Sequence, residues 1–174
     1  MHHIHPFLIA QLLALLALAN GAPLIAKRLF GSALAFPLDN GITLEDGQPL
    51  FGHSKTIRGI ALSIAVTTLG APWTGLPSTA GLLVSAMAMI GDLLSSFVKR
   101  RMKLVPGSMA LALDQIPESL LPAIAARWVL PVSVLDIIFV TGLFFVGELV
   151  ASRYLRLISG TALTEVRPCP ADRR

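Results

Sequence analysis

Two short stretches of this sequence hold most of its chemistry-bearing side chains. The first is Gly52-His53-Ser54-Lys55-Thr56-Ile57-Arg58-Gly59. Lys55 and Arg58 are three apart, so a helix beginning here would carry both on one face. Ser54, Thr56 and the free N–H groups of the helix start would add neutral donors. That combination suits a triphosphate. The G-x-x-x-x-G-K-[ST] spacing of a Walker A loop is absent. The same residues could also serve as membrane-flanking cations beside a helix cap.

The second stretch is Gly91-Asp92-Leu93-Leu94-Ser95-Ser96-Phe97-Val98-Lys99-Arg100-Arg101, followed by Lys103, Pro106-Gly107 and Leu113-Asp114-Gln115. Helical spacing lines up Asp92, Ser95, Ser96, Lys99 and Lys103, with the acid at the apolar end and the cations at the polar end. A carboxylate at membrane depth is costly unless paired or metal-bound, which makes Asp92 a functional candidate. Asp114 opens the next helix. Brought together by a helical hairpin, Asp92 and Asp114 could hold Mg²⁺ against nucleotide phosphates. The simpler alternative pairs Asp92 with Lys99 and leaves Asp114 as a helix cap.

The elements that must position these residues are membrane helices. Of the 174 residues, 54% are hydrophobic and 14% charged, and the mean hydropathy is +0.73. A soluble domain carries about 25% charged residues, so the bilayer is the expected solvent. The expected fold is an all-α integral membrane protein of about five transmembrane helices with two polar cytoplasmic loops. The apolar runs fall at about 6–25, 59–70, 79–98, 117–130 and 132–151. The first lacks a basic leader region and a small-residue cleavage site, and is taken as a helix. Pro23 and Gly21 should kink its end, and Asp46-Gly47 should turn an ordered loop, with Pro49 confining any ribbon to an edge. Residues 1–158 are read as one transmembrane catalytic domain and 159–174 as a polar, flexible C-terminal tail.

Lys27, Arg28, Lys55 and Arg58 lie in the first loop, and Lys99, Arg100, Arg101 and Lys103 in the third. With five spans these loops share a side with the C-terminus. The cytoplasmic bias of Lys and Arg makes that side cytoplasmic and puts the N-terminus outside. The net charge of +4 borders apolar spans, so anionic lipid and phosphate are the expected partners, not nucleic acid. The lone Cys169 excludes a disulfide framework and a Cys-based zinc site.

Other polar residues have plainer expectations. His2, His3 and His5 read as a solvated terminus. Asp39 and Asp46 read as turn residues, and Asp136 and Glu148 as interfacial acids. The middles of the spans are nearly free of polar groups, which disfavours a transporter.

In order, spacing and association with five spans, the segments Asn20-Gly21-Ala22-Pro23, Pro37-Leu38-Asp39-Asn40-Gly41, Asp46-Gly47, 50–59, 91–101 and Pro106-Gly107 to Asp114-Gln115 resemble the CDP-archaeol synthase family. These are membrane cytidylyltransferases similar to phosphatidate cytidylyltransferases. The resemblance implies transfer of CMP from CTP to a membrane lipid phosphate, ether-linked or phosphatidic acid, giving a CDP-lipid and pyrophosphate with Mg²⁺ as cofactor. On matching positions, Asp92, Asp114 and Lys55 would be catalytic, with the two aspartates as metal ligands. Lys55, Thr56 and Arg58 would bind CTP phosphates, and Lys99 and Arg100 would hold the lipid phosphate or pyrophosphate. Ser96, Asp39 and Asn20 would support them. An inner-membrane location with the site facing the cytoplasm is implied, and homo-oligomerisation stays open. There is one departure: the family pattern Asp-Gln-Leu-Asp becomes Asp114-Gln115-Ile116-Pro117-Glu118, so a carboxylate is missing at Pro117. Glu118 would point about 100° away on an ideal helix. That departure leaves metal stoichiometry open and lends weight to a non-catalytic binder of nucleotide or anionic lipid. A small transporter is the remaining alternative.

Overall fold

The apolar runs fold into five α-helices in a computed structural model that describes residues 3–31, 35–52, 54–103 and 111–160. The side chains of 111, 112, 114 and 155–160 are not described. His2, His53, Pro106-Gly107, the tail from 161 onward and the Asp114 side chain therefore lie outside the described residues. The helices are α1 (Pro6–Phe30), α2 (Ile57–Gly70), α3 (Ser78–Arg101), α4 (Leu111–Ala126) and α5 (Val134–Gly160), with a 3₁₀ turn at Ala71–Thr74. No strand occurs among the described residues; the polar loop holds only isolated bridges, Pro37 with Thr56 and Thr43 with Pro49.

Three helices are long and apolar enough to cross a membrane: α1, α3 and the 134–154 part of α5. At 14 and 16 residues, α2 and α4 fall short of the roughly 20 residues a full crossing takes. Each helix packs against its chain neighbour, and α1 also meets α3 and α5, closing the bundle around α3. The core is built from Leu12, Leu15, Leu16 and Ala19 of α1 with Ala80, Val84 and Ala88 of α3, all fully or almost fully buried. Small residues on α3 let backbones approach closely, the usual means of holding helices together in lipid.

Several helix limits differ from the sequence expectation. α1 runs through Pro23 to Phe30 instead of ending near Ile25. Proline at 23 deprives the Ala19 carbonyl of its helical donor, and the Ser63 hydroxyl of α2 donates to that carbonyl at 2.7 Å in its place. α4 begins at Leu111, upstream of Pro117, with both Pro117 and Pro122 inside it. Residues 127–129 form a turn instead of continuing the helix. α5 remains helical through Gly160, so the division at 158/159 falls inside a helix.

At the opposite end of the bundle from the polar loop, the chain start is pinned down. Asp136, fully buried, accepts from the His5 backbone N–H and meets His5 Nδ1, both at 2.8 Å. It also accepts from Ser133 N at 2.9 Å, while its own N–H donates to the Ser133 hydroxyl at 3.1 Å. This is a capping box on α5. The solvated terminus expected for His5 is thus corrected to a fixed one; His3 is exposed.

Candidate functional site

Lys55 and Asp92 meet at the polar end of the bundle. The Lys55 Nζ donates to both Asp92 carboxylate oxygens at 2.5 Å, with the two side chains only 20% and 23% exposed. Local sequence explains the approach. Thr56, in an extended conformation, caps α2 by accepting from Gly59 N at 3.2 Å. Its hydroxyl, expected to bind substrate, therefore acts first as a helix cap. Capping starts α2 at Ile57, leaves Lys55 just outside the helix, and puts Arg58 in its first turn.

A cavity of about 400 Å³ opens above this pair, lined by Lys27, Ser54, Lys55, Thr56, Arg58 and Asp92 among others. Both cations of the first motif line it, although Lys55 precedes the helix on whose face the spacing argument placed it. Arg58 Nη2 donates to the Gly31 carbonyl at 3.0 Å, and its guanidinium stands 5.8 Å from the centre of the Phe30 ring. A smaller inner cavity of about 250 Å³ is lined by Asn20, Lys27, Lys55, Asp92, Glu118 and Glu148.

Glu118 is the residue that sequence reasoning set aside. Its side chain lines the same cavity as those of Asp92 and Lys55 and lies close enough to interact with both. The cause lies one residue before Asp92. A Cβ added at Gly91 would stand 2.3 Å from the Pro117 carbonyl oxygen and 2.9 Å from Glu118 N. Only glycine lets α3 press directly onto the Pro117–Glu118 peptide. A helical wheel for α4 alone points Glu118 away from the position of the missing carboxylate. Backbone contact with α3 nevertheless presents it to Asp92. Glu148 of α5, expected at an interface, also reaches this cavity.

The polar loop before α2 is organised by Asp39, which is 3% exposed. Its carboxylate accepts from Gly41 N at 3.2 Å, Phe51 N at 3.0 Å and Gly52 N at 2.8 Å. Burial alone would raise its pKa, but the Gly52, Phe51 and Gly41 N–H groups hold it below the ordinary 3.8. Asp39 thus fixes the loop that carries Lys55. Arg101, unmarked by the sequence reading beyond its charge, clamps the same loop to α3. It donates to Asp46 at 2.5 Å and to the Pro49 carbonyl at 2.8 Å, and stacks at 5.3 Å on Phe97. The Gln48 N–H and, against a small burial effect, the Arg101 guanidinium keep the Asp46 carboxyl below its usual range.

The remaining expected residues are distributed as follows. Asn20 lines the inner cavity, and its Nδ2 is buried without a hydrogen-bond partner among the described residues. Ser96 is buried on α3 and lines neither cavity, while the neighbouring Ser95 hydroxyl donates to the Asp92 carbonyl at 2.9 Å. Arg100 is buried, its guanidinium beside Gly52, and Lys99 is half-buried in the last turn of α3. Asp114 lies in the first turn of α4; its meeting with Asp92 concerns a side chain outside the described residues.

Among the described residues no three His, Cys, Asp or Glu side chains gather closely enough to hold a metal ion unaided. Asp92 and Glu118 make a pair of hard oxygen donors. Mg²⁺ commonly takes one or two carboxylates and completes its shell with water and substrate phosphates, so the donor set fits it. The cations above the pair suit the phosphates themselves.

A family model described as CarS-like: CDP-archaeol synthase matches residues 73–155. Curated relatives include CDP-archaeol synthases of Pyrobaculum calidifontis, 36% identical over 103 residues, and Hyperthermus butylicus, 39% identical over 104 residues. Each match covers 56% of this chain and 61% or 59% of the relative. That of Pyrococcus furiosus is 38% identical over 107 residues, with 56% and 60% covered. The matched stretch thus spans about three fifths of these relatives. A solved structure of an intramembrane enzyme for archaeal membrane lipids biosynthesis superposes with a TM-score of 0.62 at 26% identity, covering 79% of this chain and 90% of that one.

Proposed function

Taking the chain as a relative of the CDP-archaeol synthases, we propose that it is a Mg²⁺-dependent cytidylyltransferase transferring CMP from CTP to a membrane lipid phosphate. The observation that carries this is the Lys55–Asp92 pair, which lines both a cavity shared with Lys27, Thr56 and Arg58 and a smaller one shared with Glu118. An oxygen of the lipid phosphate forms a bond to the α-phosphorus of CTP. The bond from that phosphorus to the α–β bridging oxygen breaks, and pyrophosphate leaves with the electron pair. The attacking phosphate is already ionised, so no general base is required, and positioning supplies much of the rate.

Two highly anionic reactants must be brought together, and the cations answer that need. Lys55 and Arg58 hold the triphosphate, while Lys99 and Arg100 serve the lipid phosphate or pyrophosphate from the end of α3. Asp92 and Asp114 would hold Mg²⁺, with Glu118 in place of the carboxylate absent at Pro117. Bound there, Mg²⁺ would offset phosphate repulsion and the charge growing on pyrophosphate. Asn20, Ser96 and Asp39 support these groups.

In this proposal α2 and α4 join the three longer helices as shortened crossings. The N-terminus is outside, and the site opens to the cytoplasm of the inner membrane, where CTP arrives from water while the lipid keeps its chains in the bilayer. A non-catalytic binder drew its support from Pro117. Glu118 beside Asp92 supplies a carboxylate nearby, which supports the catalytic reading.

The test is incorporation of radiolabelled CTP into lipid by the purified protein in vesicles. Dipalmitoyl phosphatidic acid and an ether-linked analogue are offered together, with the product read by mass spectrometry. Asp92→Ala and Glu118→Gln should each lower turnover about 10²-fold or more, as expected for losing a group that stabilises transition-state charge. Near-normal turnover of Asp92→Ala at saturating Mg²⁺ would refute the assignment.

A further inference from the structure

Between α1 and α5 lies a groove of about 440 Å³ whose walls are mainly apolar. Ala17, Gly21 and Leu24 line it from α1, and Leu143, Gly147 and Ala151 from α5. The four-residue spacing of small side chains on each helix hollows out the seam. A Cβ added at Gly21 or at Gly147 would meet nothing within 4 Å. Leu24 and Leu143, about half exposed, mark the side that opens to the bilayer.

At its polar end the groove runs into the site. Asn20, Leu24 and Glu148 line both the groove and the inner cavity that contains Lys27, Lys55, Asp92 and Glu118. Asn20 Nδ2, a buried donor without a partner among the described residues, stands at that junction. We propose that the groove holds a hydrocarbon chain of the lipid phosphate, entering sideways from the bilayer, with the phosphate received at the junction by Asn20 and Lys27, which leaves Lys55 to the triphosphate and Lys99 and Arg100 to the pyrophosphate. CTP then uses the other cavity, above Thr56 and Arg58, and the two substrates meet over Asp92. This assignment rests on the cytidylyltransferase proposal.

Size and continuity select this occupant. A helix of a second copy, about 10 Å across, could only lie over the groove, sealing the Asn20 donor and the polar cavity behind it. A hydrocarbon chain is narrow enough to enter and delivers an anionic head to the cations at its end.

The open space at both glycines gives a test that does not depend on damaging the fold. Gly21→Leu and Gly147→Leu should each fill the groove and raise KM for dipalmitoyl phosphatidic acid about tenfold, the loss of roughly two buried methylene groups. The rise should be smaller for dihexanoyl phosphatidic acid, and KM for CTP should not move. Gly142→Leu, on α5 but outside the groove and with nothing within 4 Å of its added Cβ, is the control and should match wild type. No change, or an equal change at both chain lengths, overturns the proposal. So does an equal loss accompanied by conversion of a dimer to a monomer, which would make this face an interface between copies. If wild type turns over no lipid phosphate, cytidylyl transfer fails as a function. The groove is then judged by nitroxide-labelled phosphatidic acid in vesicles: loss of the immobilised fraction in Gly147→Leu upholds it, and retention overturns it.

Discussion

Gly91→Ala is the sharpest probe of how the site is assembled. The new methyl group would lie 2.3 Å from the Pro117 carbonyl oxygen, 2.6 Å from the Pro117 carbonyl carbon and 2.9 Å from Glu118 N. All three are backbone atoms, so no rotamer change relieves the clash. Ordinary contact begins near 3.4 Å, which requires α4 to retreat from α3 by about 1 Å. Glu118 rides on the displaced peptide, so its contact with Asp92 opens by a similar amount. A displacement of about 1 Å at a reacting centre can cost about 10²-fold in rate, and overpacking costs about 1–3 kcal/mol of stability. Gly81→Ala separates the two effects. Its methyl group would stand 2.6 Å from the Thr67 carbonyl oxygen, 2.7 Å from Ala71 Cβ and 3.0 Å from Thr68 Cα. That crowds α3 against α2 about 15 Å further along the helix. Thermal unfolding in detergent should show comparable losses for both variants, while CTP incorporation, measured well below both transitions, should fall about 10²-fold in Gly91→Ala alone. Equal turnover in the two would refute the claim that this helix contact aims Glu118.

Lys55→Met should leave Asp92 without its ammonium partner, so the free protein should bind Mn²⁺ more tightly by electron paramagnetic resonance while CTP turnover falls at least about 10²-fold. Weaker Mn²⁺ binding would show that Lys55 does not compete for that position. Asp39→Asn replaces a carboxylate oxygen that accepts N–H groups with an amide that cannot fill both roles, at a cost of about 1–3 kcal/mol. The pH dependence has a definite sign: the folded pKa of Asp39 lies below 3.8, so its stabilisation is present above about pH 4 and is lost as pH falls through the folded value. The difference in unfolding temperature between wild type and Asp39→Asn should therefore be full at neutral pH and shrink in acid; a pH-independent difference would argue against the carboxylate as the cause.

Much of this was legible in the sequence because the relevant signals are local. Length and apolarity mark α1, α3 and most of α5, and the first motif supplies two cations of one cavity, although Lys55 stands before α2 and not on its face. What escaped is non-local. Pro23 did not end α1, and Ser63, forty residues on, supplies a donor to the orphaned Ala19 carbonyl. Arg101 looked like one more membrane-flanking cation until loop atoms from Asp46 and Pro49 came within its reach. The apolar run at 117–130 marks only part of α4, which begins six residues earlier, at Leu111, and ends at Ala126. Glu148 carried no spacing signal at all; only the packing of α5 against α1 turns it toward Asn20.

The inner cavity also supplies a reason for a divalent cation that is independent of kinship. Asp92, Glu118 and Glu148 line it against Lys27 and Lys55. Two carboxyl groups close enough to interact, as Asp92 and Glu118 are, need a proton or a cation between them. The Lys55 ammonium pairs with Asp92, and Lys27 is left to face both Glu118 and Glu148. A phosphate brought to such a cavity would meet at least as much negative charge as positive, and the site would repel the substrates its outer cations attract. Asp92 and Glu118 would be the groups to hold a doubly charged ion there, and its charge would reverse that balance.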